Sequence, residues 1–339
     1  MGLLRLILAL SVVSGHGSFF QPFFFINASA AVICFFTVSG FYMAYVINEK
    51  YKLVDQWQKK FLINRCLRLY PAYFFFLILY LIFQTYIGRP NFLTGLNVSV
   101  AHQALIALLN FSLVGQDIYA MVVEIKGIDP LHVMPIAQAW SIAVELELYV
   151  IAAFLFSTRF GLFTALFIGV VLRLSMQIVG LTFNPLGHML VFNVLLFFAL
   201  GGCAYILYKR IEAWPVSIRA AITGFFITTL LAYVWYHNGF WDIEARDNDD
   251  RCTLFYFGIA LAIPFIFSLS KKNKLDNLLG HLSYPIYLCH IFLFDVAKYI
   301  GIKANTKYFV AVSLFVVSYT VYKWVEEPIQ RFRAQLVQR

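Results

Sequence analysis

The chain has 339 residues, of which 61% are hydrophobic, 18% aromatic and only 13% charged, and its net charge is +9. Water-soluble domains carry about a quarter charged residues, so a soluble two-domain enzyme of this length is excluded, and the basic residues are too scattered for a nucleic-acid surface. Apolar runs of about twenty residues recur from end to end, the length that crosses a hydrocarbon core about 30 Å thick.

This pattern predicts an all-α, polytopic integral membrane bundle of about ten spans, at 3–20, 28–47, 69–87, 139–157, 160–180, 188–208, 217–236, 254–270, 282–300 and 307–324. With the first end inside, most Lys and Arg fall in the inner segments, while Arg89, Lys126, Arg246, Arg251, Lys298, Lys303 and Lys307 fall outside. That asymmetry obeys the positive-inside rule and predicts both termini to be cytoplasmic. The acidic run from Asp242 to Asp250 then faces outward.

The first span carries Arg5 and His16, eleven residues apart. At about 100° per residue they return to one helix face, separated by about 16 Å along the axis. A central Arg costs roughly 2.5–3.5 kcal/mol on insertion, so ionisable groups in spans face a bundle interior or a cavity. A snorkelling arginine with a hydrogen-bonded core histidine also accounts for this pair taken alone. The segment reads as a retained signal anchor, because both residues interrupt its apolar stretch and no small-x-small cleavage site precedes a polar start.

In the second span, Ser39 is placed to bond its own helix, and Gly40 admits close approach by a neighbouring helix or a ligand. Arg65 and Arg68 follow ahead of the third span, one turn apart on one face. Lipid headgroups explain them as anchors; the guanidinium fork also suits a phosphate. The outer connection, residues 88–138, includes an apolar piece at 101–113 that is too short to span and reads as a surface or re-entrant helix. Asp129-Pro130 and Met134-Pro135 mark turns after it.

Span four opens at Trp140 and places Ser141, Glu145 and Tyr149 in one polar stripe at i, i+4, i+8. Glu147 lies about 200° round from Glu145, so the two carboxylates serve different surroundings, and Glu145 is the functional candidate. Span nine brings Tyr287 and His290 one turn apart behind Pro285, where a buried histidine satisfied by a neighbour is also expected. Span ten closes with Glu326, Glu327 and Pro328, the proline expected to stop the helix at the inner surface. Residues 1–330 thus read as one membrane domain and 331–339 as a short basic cytoplasmic tail. The five cysteines are scattered, with no pairing pattern for a disulfide framework and none for zinc, so no metal is expected.

Sorted by depth, Arg5, Arg65, Arg68, Lys271 and Lys272 form a cationic inner mouth, while His16 and Glu145 share the outer half. This order suits an anionic cytoplasmic donor reacting with an outer acceptor. A secondary transporter exporting a lipid-linked sugar or small molecule, with His16 and Glu145 as a proton relay, is the competing reading. Internal repeats and paired broken helices mark many such folds, and the chain displays neither.

Arg5 with ten residues before His16, Phe36-x-x-Ser39-Gly40-Phe41, Arg65-x-x-Arg68-x-x-Pro71, Trp140-Ser141-x-x-x-Glu145, Ser283-Tyr-x-x-Tyr287-Leu-x-His290 and Glu327-Pro328 together resemble the integral membrane acyltransferase-3 family, in the family's order and over nearly the whole chain. The resemblance implies an O-acyltransferase of the bacterial inner membrane that modifies surface polysaccharides such as O-antigen or exopolysaccharide. The implied donor is acetyl-CoA or another acyl-CoA, used as a substrate with no permanently bound cofactor. The implied acceptor is a carbohydrate or glycolipid hydroxyl, with membrane lipid as the surrounding solvent. His16 is the implied base, Glu145 the group that orients it, and Arg5, Arg65 and Arg68 the donor-binding residues. Ser39, Gly40, Trp140, Ser141, Tyr149, Tyr287, His290 and Glu327 support them. Many members carry a denser arginine run here, where Asn64 and Cys66 flank Arg65 in this chain. The esterase-like outer domain fused to some members is not seen in this sequence, so acceptor handling falls to the membrane domain, its outer loops or a separate extracytoplasmic protein.

Overall fold

The computed structural model describes residues 1–17, 26–96, 98–126, 134–180, 189–240, 250–302 and 306–338. The acidic run from Asp242 to Asp249 and the Asp129-Pro130 step lie outside the described residues. Among the described residues the fold is all-helical, as the hydropathy pattern requires. The helices are α1 (Gly2–Gly17), α2 (Ala28–Val46), α3 (Trp57–Tyr86), α4 (Val100–Ser112), α5 (Gln116–Ile125), α6 (Trp140–Leu155) and α7 (Arg159–Ile178). They continue with α8 (Val191–Ile211), α9 (Val216–Tyr236), α10 (Asp250–Ser270), α11 (Lys274–Tyr299), α12 (Thr306–Val321) and α13 (Glu327–Gln338). π turns at Ile47–Tyr51 and Tyr322–Glu326 extend α2 and α12.

Eight stretches are long and apolar enough to cross a membrane: Ala28–Tyr51, Trp57–Tyr86, Ala137–Leu155, Arg159–Ile178, Val191–Ile211, Val216–Tyr236, Arg251–Ser270 and Lys307–Gln335. The two remaining expected spans coincide with α1, 16 residues long, and α11, 26 residues long and rich in Tyr, His and Asp. These two helices, the first short and the second more polar, pack on each other. Side-chain caps set several helix starts: Asn27 Oδ1 accepts from Ala30 N at 2.8 Å, and Asn273 Oδ1 accepts from Asp276 N at 3.1 Å. Each satisfies one of the donors that a helix start leaves unpaired.

At the centre, α2 packs against α8, α1, α10 and α6. The α2–α8 crossing is so close that a Cβ at Gly40 would sit 1.9 Å from the Phe198 carbonyl oxygen, and one at Gly201 would sit 1.8 Å from that of Thr37. Only glycine fits at either place, so Gly40 serves helix packing and not ligand access. At the periphery, α9 buries little beyond Thr223 and Val234, and Phe160, Phe163 and Phe167 of α7 are exposed. Such apolar outer surfaces are stable against lipid and unstable against water.

Three boundaries differ from the hydropathy reading. Helix α3 begins at Trp57, three turns before the apolar run, so Arg65 and Arg68 lie within a helix and not ahead of one. Pro71 sits inside it, which leaves the Leu67 carbonyl without its usual i+4 donor. Pro328 does not stop the chain: the π turn at Tyr322–Glu326 absorbs the register change, Pro328 becomes the second residue of α13, and the helix runs on through it. The residues read as a tail continue as helix to Gln338, and α13 packs on α3. The apolar piece at 101–113 is α4, a helix too short to span, clipped to α3 by Tyr73 donating to the Asn110 carbonyl at 2.6 Å and Tyr70 to that of Ser112.

Candidate functional site

The start of α1 is fixed first. Asp276 of α11 accepts from the Met1 ammonium at 2.7 Å and from the backbone N–H groups of Gly2 and Leu3 at 2.8 and 2.9 Å. A carboxylate at a helix N-terminus is favoured by the helix dipole and by these unpaired donors. A Cβ at Gly2 would fall 1.5 Å from the Asp276 carbonyl oxygen, so glycine alone permits this docking. The effect is to pin Arg5, one turn further on, against α11.

Arg5 faces a cavity of about 370 Å³ at one end of the bundle, lined also by Arg65, Arg68, Arg333, Lys50, His281 and Glu326. Arg5 and Arg68 make no hydrogen bond or ion pair among the described residues, although each residue is half-buried. Arg65 is buried; its Nη2 donates to Asn64 Oδ1 at 2.9 Å, its guanidinium lies 5.6 Å from the Phe61 ring centre, and its Nε has no hydrogen-bond partner among the described residues. Arg333 donates to the same Asn64 oxygen through Nε and Nη2 at 3.1 and 2.8 Å. One amide oxygen thus draws two guanidiniums together, and the lining holds four arginines and a lysine against one carboxylate, Glu326. Like charges held this close in a low-dielectric site call for a polyanion.

Arg5, Tyr42, Arg68 and Tyr284 also line a second, narrower cavity of about 70 Å³ that runs into the bundle. Ser39, Ser141, Glu145, Ser283 and Tyr287 supply its polar lining, and Phe35, Phe36, Met43 and Ile142 part of its apolar lining. Here Ser39 Oγ donates to Glu145 Oε1 at 3.0 Å, and Tyr149 donates to the same oxygen. One turn along α6, Ser141 Oγ lies 2.7 Å from the Tyr287 hydroxyl, which donates to the Gln138 carbonyl at 2.9 Å. Another turn along α11, His290 Nδ1 donates to the Tyr287 carbonyl at 2.7 Å, and the His290 ring centre lies 5.3 Å from that of His16. Trp140 is buried in the surrounding core.

Most of the residues singled out in the sequence therefore converge, in the order Arg65, Arg68 and Arg5, then Glu145 with Ser39 and Tyr149, then Ser141 with Tyr287, then His290 with His16. Four do not behave as expected. Glu145 is bound by Ser39 and Tyr149, nearer the arginines, and it is His290 that stands beside His16. Lys271 lies elsewhere, donating to Tyr208 at 2.6 Å and Glu212 at 2.9 Å, and neither it nor Lys272 lines the cationic cavity. Glu327 is taken by Lys323 at 2.6 Å and Arg331 at 2.9 Å on the surface, while its neighbour Glu326 enters the cavity.

Arg333, Glu326, His281 and Lys50 were not picked out from the sequence as site residues. The two π turns explain Lys50 and Glu326: each adds a residue to a turn, so ideal 3.6-residue counting puts the side chain on the wrong face. Arg333 had no local signal. Among the described residues no cluster of His, Cys, Asp and Glu is placed to hold a metal ion, and all five cysteines are free.

Arginines that call for a polyanion, joined by a narrow passage to hydroxyls and a carboxylate, with two imidazoles one helical turn beyond its lining, can hold an anionic donor at one end and move a proton at the other. Comparison with known proteins bears on what is held. No solved structure matches the chain. An uncharacterized protein of Aquifex aeolicus (strain VF5) is 22% identical over 212 residues, covering 59% of this chain and 90% of that relative. The family model for the acyltransferase domain of the acyltransferase-3 family matches residues 1–323. The chain is a membrane acyltransferase and belongs to the acyltransferase-3 family.

Proposed function

We propose that the protein transfers a short acyl group from acetyl-CoA, or another acyl-CoA, to a hydroxyl of a carbohydrate or glycolipid such as O-antigen or exopolysaccharide, across the bacterial inner membrane. One observation carries this reading: Arg5 and Arg68, without hydrogen-bond or ion-pair partners among the described residues, line both the cationic cavity and the narrow passage. The phosphates of the donor bind Arg5, Arg65, Arg68 and Arg333 at the cytoplasmic mouth, where Arg forks bind phosphate in two-point fashion. The thioester arm enters the passage, whose apolar lining and small volume favour a short acyl chain. The spans at 3–20 and 282–300 complete a ten-span bundle with both ends cytoplasmic, and the acceptor approaches His16 from the outer side.

In the reaction, His16 takes the proton of the acceptor hydroxyl as its oxygen bonds to the acyl carbon. The carbon–sulfur bond then breaks, and the thiolate leaves with the proton returned by His16, giving the ester and free CoA. General base catalysis of this kind contributes roughly 10²–10⁴-fold.

The test follows label from acetyl-CoA into membrane carbohydrate in vesicles from cells making the protein, with free thiol counted in parallel. Transfer that depends on His16 and on the arginines supports the reading. Equal label in vesicles without the protein, or uptake of a sugar with no thiol released, overturns it, the second outcome favouring a transporter.

A further inference from the structure

His290 is fully buried, with 0% of its surface exposed, yet only one ring nitrogen is used. Nδ1 lies 2.7 Å from the Tyr287 carbonyl oxygen, and a carbonyl only accepts, so Nδ1 carries the hydrogen. That leaves Nε2 as a lone-pair acceptor, and it has no hydrogen-bond partner among the described residues. A buried acceptor left unmade is a cost that a fold tolerates where a later partner arrives. The carbonyl that fixes the ring is itself held: Gln138 Nε2 donates to the Tyr287 and Leu288 carbonyls at 3.3 and 2.9 Å, and the Tyr287 hydroxyl is engaged by Ser141 and Gln138. Phe294 packs edge-on at 5.9 Å against the His290 ring. The imidazole has little freedom to turn.

The neighbouring ring is His16, at 5.3 Å between centres with the planes inclined by 37°. A hydrogen bond of about 3 Å between facing imidazole nitrogens puts the ring centres roughly 5 Å apart. His16 sits in the last turn of α1 and is exposed, so it has the freedom that His290 lacks. Catalytic hydrogen bonds commonly tighten only when substrate is bound.

We propose that His290 is the positioning residue for His16. Its Nε2 accepts the N–H of His16, which selects one tautomer of that ring and turns the other nitrogen, as the base, toward the acceptor hydroxyl. His290 gains and loses no proton in the cycle; the proton travels from hydroxyl to His16 to thiolate, as above. A neutral acceptor does here what a carboxylate does beside the histidine of water-soluble acyl-transfer sites, without an uncompensated charge in a membrane helix. The proposal rests on the reading of His16 as base.

The experiment compares His290→Leu, His290→Gln, His290→Asn and His16→Ala in native membranes at equal protein abundance, reading the label-transfer rate at saturating acetyl-CoA and the acetyl-CoA concentration giving half that rate. The glutamine oxygen stands near the place of Nε2, and the asparagine oxygen near that of Nδ1. His290→Leu is expected to lower the saturated rate on the order of 10²-fold while the half-rate concentration moves less than a few-fold. His290→Gln should restore the rate to within about tenfold of the parent, and His290→Asn should not. A saturated rate within a few-fold of the parent for His290→Leu, or equal losses for Gln, Asn and Leu, overturns the positioning role. If His290→Leu fails to accumulate, the Gln-against-Asn contrast decides alone. An active His16→Ala would show that the base itself is misassigned, whereas an inactive His16→Ala with an active His290→Leu removes only the role of His290.

Discussion

Arg333 donates two hydrogen bonds to the side-chain oxygen of Asn64, at 3.1 and 2.8 Å, joining the last helix to the third across 269 positions of sequence. Because that oxygen also receives Arg65, the amide sets the spacing of two guanidiniums in the cationic cavity. Charge-assisted hydrogen bonds are worth about 1.5–3 kcal/mol each. Arg333→Ala should therefore raise the acetyl-CoA concentration giving half the maximal rate by about 10–100-fold with a smaller effect on the saturated rate. Arg333→Lys should recover only part, since a point charge does not reproduce the fork. Initial rates across a donor titration check both.

Glu145 binds Ser39 and Tyr149 beside the arginines, so its charge acts on the narrow passage that it lines. Glu145→Gln should lower turnover more than donor affinity. Ser39→Ala, which removes one hydrogen bond worth roughly 0.5–1.5 kcal/mol, should cost less than tenfold. A raised half-rate concentration with an unchanged saturated rate would place Glu145 in donor binding alone.

The α2–α8 crossing has no space for a side chain at Gly40, where a Cβ would meet the Phe198 carbonyl at 1.9 Å. Gly40→Ala should destabilise by about 1–3 kcal/mol through overpacking, and Gly40→Val by more, lowering the unfolding temperature in detergent. Phe167→Leu, on the exposed face of α7, should leave that temperature unchanged.

At the loop end of α8, Glu212 accepts from Lys271, Tyr208 and Lys209, and Lys271 heads the donors that hold its carboxyl at about 2. A carboxyl whose folded value lies below its unfolded value of about 4.3 stabilises the fold fully above that value and loses the effect as pH falls toward 2. The group is well exposed, so solvent screening makes the effect small. The parent should thus lose thermal stability between pH 5 and 3 slightly more steeply than Glu212→Gln, as followed by unfolding in detergent.

The proposed orientation, with both ends cytoplasmic, predicts that a cysteine introduced at position 272 of a variant lacking the native cysteines resists an impermeant thiol reagent in intact cells, whereas one at position 247 reacts. Labelling at 272 and not at 247 would invert the bundle and favour a cytoplasmic acceptor.

The sequence by itself determined the class of fold and singled out most of the polar groups that the structure brings together. Apolar length and low charge leave a membrane only helices, because every backbone group must be satisfied within its own segment. The helical period was enough to read Ser141, Glu145 and Tyr149 as one stripe, and the cost of Arg5, His16 and Glu145 in hydrocarbon marked them before any contact was known. Only the tertiary structure decided which of these groups meet. Hydropathy carries no register between helices, so it could not pair His16 with His290 in place of Glu145, nor send Lys271 to Glu212. The period also fails where π turns shift it, and so Glu326, not Glu327, enters the cavity. Arg333 was invisible for the plainest reason: it lies 269 positions from Asn64, and their contact exists only because α13 packs on α3.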